Sequence, residues 1–83
     1  MSNIRDDDAI KKLAGRFFAL RKDNQLSQKE VAAEAGMKVT QYRRIEQGKT
    51  NAGISHIKAI SRVYEMPLHE LFDYDIHVEN DKQ

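Results

Sequence analysis

The stretch that most constrains this chain is residues 26–49, LSQKEVAAEAGMKVTQYRRIEQGK. Two short helical patterns lie there on either side of Gly36. The first opens on Ser27, with Glu30 three residues later, the spacing of a capping box. Val31, Ala32 and Ala35 then give one apolar face at helical spacing. Gly36 suits a chain that must leave a helix with positive φ, and Met37 is the expected apolar plug of the turn. The pattern resumes near Val39 with Tyr42 and Ile45 facing inward, and Gly48 stops it. Lys38, Thr40, Gln41, Arg43 and Arg44 are left facing out, and Glu46 is the only acid of this segment.

Small Ala32 lets two helices cross closely, and Gly36 releases the chain into the second. An αα-hairpin of any small bundle shares that spacing. The outer face of the second helix, cationic and hydrogen-bonding, favours a helix-turn-helix instead, with this helix as the reading element.

The rest of the chain supplies the support. Asp6, Asp7 and Asp8 can cap a helix expected from Ala9 to about Asp23. Its inward stripe is Ile10, Leu13, Ala14, Phe17, Leu20 and Arg21; Phe18 either widens the stripe or marks a partner contact. Residues 49–53 read as a polar loop. A fourth helix is expected over 54–64, with Ile54, Ile57, Ile60, Ser61 and Tyr64 along its inner side. Pro67 opens a short fifth helix carrying Leu68, Leu71 and Phe72. The expected fold is all-α, a bundle of five short helices. Residues 1–8 form an acidic lead-in, 9–72 the domain and 73–83 an acidic tail. In the tail Tyr74, Ile76 and Val78 alternate with polar residues, so it is either disordered or a strand that pairs with a second copy.

Charge matters once it is divided. The whole chain carries only +1, yet residues 9–72 hold seven Lys and five Arg against one Asp and five Glu, a surplus of six positive charges. The lead-in and tail contribute −2 and −3. A basic body attracts phosphate through its local field, whatever the total. Eighty-three residues make one small domain. The absence of cysteine excludes a disulfide framework and suits a reducing cytoplasm. No apolar run approaches membrane-spanning length, and the polar, acidic start is unlike a signal peptide. His56, His69 and His77 lack metal-ligand spacing, Ser27 and Ser61 have no triad partners, and the four glycines form no phosphate loop. Neither catalytic residue, metal nor cofactor is expected.

With LSQKEVAAEAG, RRIEQGK and MPLHELF in view, residues 10–72 resemble the Cro/phage-repressor family of bacterial regulators, the xenobiotic-response-element type. That resemblance implies a lambda-repressor-like bundle that binds a double-stranded DNA operator as a homodimer. It also implies roles. Lys38, Val39, Thr40 and Arg44 stand at base-reading positions, with Arg43 flanking them. Gln28 stands where the family uses glutamine to hold phosphate and brace the reading helix. Gln41, Lys49, Thr50 and Asn51 fall at backbone-contacting positions. Arg21 and Glu46 match an internal ion pair tying the first helix to the third. The residue types suit these tasks: arginine grips guanine bidentately, and valine or threonine packs on a thymine methyl. Three positions depart from the pattern. Lys38 stands where a capping Ser, Thr or Asp is usual, so a cap must come from Thr40 or solvent. Tyr42 replaces an aliphatic and needs a partner for its hydroxyl, and Ala52-Gly53 makes a looser loop. The sequence leaves open an antitoxin-like autoregulator, a phage or restriction-modification controller, and a protein-interaction module on the same fold.

Overall fold

A computed structural model of the chain describes residues 5–74, and among them all regular structure is helical. The helices are α1 (Asp7–Asp23), α2 (Gln28–Ala35), α3 (Val39–Glu46), α4 (Ile54–Val63) and α5 (Leu68–Leu71). The all-α, five-helix expectation holds. Helix α1 starts two residues before Ala9 because Asp6 caps it, its carboxylate accepting from the Ala9 amide at 3.0 Å. The alternating tail falls mostly on residues 75–83, outside those described.

Burial follows the helical periodicities. Phe17 and Leu20 of α1, Val31 and Ala32 of α2, Tyr42 and Ile45 of α3, Ile57 and Ile60 of α4 and Leu71 of α5 form one core. Helix α2 packs on α3 and α4, α1 packs on α3, and α5 closes against α4. Ala32 is buried between its neighbours, as a close crossing requires. Arg16 ties the short α5 to α1: its guanidinium donates to the carbonyls of Leu71 at 3.1 Å and Glu70 at 3.2 Å, which satisfies acceptors a four-residue helix cannot.

All four longer helices end alike. Leu26 N–H donates to the Arg21 carbonyl, Met37 to Ala32, Lys49 to Arg44 and Met66 to Ser61, each closing the six-residue loop of a Schellman motif. The residue before each donor takes left-handed φ: Gln25 at 57°, Gly36 at 76°, Gly48 at 72° and Glu65 at 52°. Leu26, Met37 and Met66 tuck against the core. Glycine bears this conformation freely, whereas Gln25 and Glu65 each pay about 1 kcal/mol for it.

Ile54 corrects the sequence expectation. It was placed on the inner side of α4, but it is 63% exposed. It is the first residue of α4 and borders an open surface hollow with Leu68 of α5, so the buried stripe begins at Ile57. Phe18 is 48% exposed, with the Arg21 and Lys22 cations 5.6 and 5.8 Å from its ring centroid.

Candidate nucleic-acid interface

Helix α3 divides cleanly. Tyr42, Ile45 and Glu46 are buried, whereas Lys38, Thr40, Gln41, Arg43 and Arg44 are exposed. What fixes this division is a network behind the helix. Arg21 grips Glu46 with two parallel bonds, Nε to Oε1 at 2.7 Å and Nη2 to Oε2 at 2.9 Å. Its third donor reaches the Leu26 carbonyl at 3.0 Å, so one guanidinium joins α1, the α1–α2 turn and α3. The side chains are 13% and 4% exposed, which makes this the internal pair the sequence suggested.

The network continues outward. Gln28 donates through Nε2 to Glu46 Oε2 at 3.2 Å and accepts through Oε1 from Arg43 Nε at 3.1 Å. Gln28 thereby braces α3 through its amide and holds Arg43 against α2. Burial alone would raise the Glu46 pKa, but the bonds from Arg21 and Gln28, with the Tyr42 hydroxyl alongside, outweigh it and hold the carboxyl below the usual range. Burial, with Glu46 alongside, pushes the Tyr42 phenol far above the ordinary tyrosine value. The Tyr42 hydroxyl sits beside Glu46 but outside good hydrogen-bond geometry. Tyr64, buried near the same carboxylate, is pushed up to about 12.

In front of α3 lies an open cleft of about 440 Å³ between α3, the 49–53 loop and the start of α4. It brings together Lys38, Thr40, Gln41 and Arg44 with Thr50 and Asn51, six of the residues singled out in the sequence, and among the described residues no carboxylate lines it. Val39, Arg43, Gln28 and Lys49 are not among its lining residues. Val39 is half-buried and leans on the core, so only part of its side chain faces out. Lys49 is exposed, immediately outside the cleft in sequence.

Two helices begin on this cleft, and neither has a side-chain cap. Helix α3 starts after Lys38, and Thr40 supplies no cap in its place; α4 starts after Gly53. Their first N–H groups therefore remain available as donors beside the cationic side chains. For His56 the sequence expectation goes no further than the absence of metal-ligand spacing. His56 sits half-buried in the cleft, 2.9 Å from Gln41 across the gap between α4 and α3. Its place in the first turn after a loop already assigned to backbone contact was the available signal. Ser27 and Ser61 are accounted for locally: Ser27 shares a capping box with Glu30, and Ser61 donates to the Lys58 carbonyl at 2.8 Å.

A family model described as helix-turn-helix matches residues 18–71. Neither the curated proteins nor the solved structures contain a match. The matched span runs from the middle of α1 through α5, so it includes the cleft and every member of the network behind it.

Proposed function

The chain belongs to the helix-turn-helix family of Cro/phage-repressor type, a family of DNA-binding regulators, and from that premise we propose that it is a sequence-specific transcriptional repressor gripping a palindromic operator as a homodimer. The observation that carries this reading is the division of α3: its one acid is buried behind it, and its exposed side chains in front are cations and hydrogen-bonding groups. In the proposed complex α3 lies in the major groove of double-stranded DNA. Arg44 is the foremost base reader, since it is exposed in the cleft and has a fork that matches guanine O6 and N7. Thr40 offers a methyl and a hydroxyl to the same bases. Lys38, Gln41, Thr50 and Asn51 hold the flanking phosphates, together with the uncapped N–H groups of α3 and α4. Arg43 is turned toward Gln28, so it serves the backbone at the edge of the reading helix. Such a regulator works in the bacterial cytoplasm, where its operator is.

Selection of bound duplexes from a random library, repeated at two salt concentrations, tests the proposal. The expected result is an inverted repeat whose half-sites lie about 34 Å apart, with binding that falls steeply as salt rises. Binding without any enriched sequence would remove the operator reading and direct the search to a protein partner.

A further inference from the structure

Gln41 and His56 meet across the cleft, Gln41 Nε2 lying 2.9 Å from His56 Nε2. With the Gln41 amide nitrogen facing the ring as donor, the imidazole accepts at Nε2 in the tautomer that carries its proton on Nδ1. The charged groups that line the cleft with His56 are Lys38, which precedes α3, and Arg44 of α3. The loop supplies neutral Thr50 and Asn51, and α2 and α5, the other helices packed on α4, place no charged side chain among the lining residues.

We propose that His56 is a proton-linked phosphate contact for duplex DNA, coupled to the orientation of Gln41; this rests on the reading of the cleft as the DNA surface. When the ring is neutral, its Nε2 is occupied by the Gln41 amide and offers a phosphate nothing. When the ring is protonated, Nε2 becomes a donor and cannot accept from Gln41. The Gln41 amide then turns to present its oxygen to the ring, which leaves its own NH₂ free. The imidazolium Nδ1–H and the freed amide NH₂ then offer a phosphate two donors, and the ring adds a positive charge. Phosphate favours the charged ring, so DNA binding takes up a proton and affinity rises as pH falls. His56 is thus a positioning residue for Gln41 as well as a contact.

The test is fluorescence anisotropy of a labelled mixed-sequence duplex, with affinity and salt slope measured between about pH 8 and pH 6, the range in which histidine titrates. One linked proton gives a gain of up to about tenfold per pH unit, and the low-pH salt slope steepens by about 0.9 for the added phosphate. His56→Gln, which bonds without titrating, should flatten both effects, and His56→Ala should flatten them too. His69→Gln, on exposed α5, should keep the full profile. Circular dichroism at each pH confirms that every variant is folded. A His56→Gln profile as steep as the wild type's overturns the inference and leaves the DNA reading standing. A folded wild type that binds no duplex at any pH overturns both.

Discussion

Helices α2 and α3 are each eight residues long, and each is followed by a left-handed glycine within a Schellman motif, yet they begin in opposite ways. Helix α2 opens on a complete capping box. The Ser27 hydroxyl accepts from Glu30 N–H at 3.0 Å, and the Glu30 carboxylate accepts from Ser27 N–H at 2.7 Å. Helix α3 opens on Lys38, whose side chain can accept nothing. A missing cap costs about 1 kcal/mol, a real fraction of the stability of a domain this small. The loss falls where bare N–H groups and a lysine face the cleft, and α4 repeats it at Gly53. One helix of the motif is thus finished for stability, and the other is left unfinished at the surface proposed to meet an anion.

The strongest way to break the comparison is to remove what holds α3 against the body. Glu46→Ala leaves the Arg21 guanidinium buried without its partner and should cost about 3–5 kcal/mol, read as a lower urea midpoint. The same pair predicts the acid response. The folded Glu46 carboxyl titrates below its unfolded value, so its contribution is complete above the unfolded carboxylate range, about pH 4.3. That contribution drains away as pH falls through the lower, folded value, and a Glu46→Gln protein should lose less stability over this interval than the wild type.

Changes on the cleft side should move binding rather than stability. Arg44→Ala is expected to weaken the selected operator by about 1–3 kcal/mol and blur one base position, with an unchanged melting curve. The sharpest probe is a pair of substitutions at the two helix starts. Ser27→Ala should destabilise by about 1 kcal/mol, and Lys38→Ser should stabilise by a similar amount while lowering DNA affinity and the salt slope. If Lys38→Ser gains stability and keeps full affinity, the open start of α3 has no part in binding. Tyr42→Phe should have the smallest effect, less than about 1 kcal/mol in a thermal melt, because the buried hydroxyl has no well-formed bond to lose.

Much of this arrangement was legible in the sequence, and the gaps have identifiable causes. Ser27, Glu30 and Gly36 announced α2 because capping and left-handed turns demand particular side chains. Gly48 marked the end of α3 for the same reason. The ends of α1 and α4 carry the same turn on Gln25 and Glu65, so no glycine marked them, and only the apolar residue after each gave a hint. Arg21 and Glu46 could be paired because the family resemblance implies that ion pair, and a lone acid on a cationic helix needs a partner. Ile54 misled because periodicity continues to the first residue of a helix while its packing partners do not. The link between Gln41 and His56 was hidden because it depends on how two helices approach one another, which no spacing along the chain encodes.

The bond from Arg43 to Gln28 has a consequence for how such a protein could acquire a new target. Thr40 and Arg44 are exposed, and among the described residues no side-chain hydrogen bond ties either to another helix, so each could drift alone and alter recognition without disturbing the scaffold. Position 43 lacks that freedom, because its partner amide is also bonded to the buried Glu46. A lineage exploring new operators would vary 40 and 44 one substitution at a time, but would inherit 43 and 28 as a linked couple.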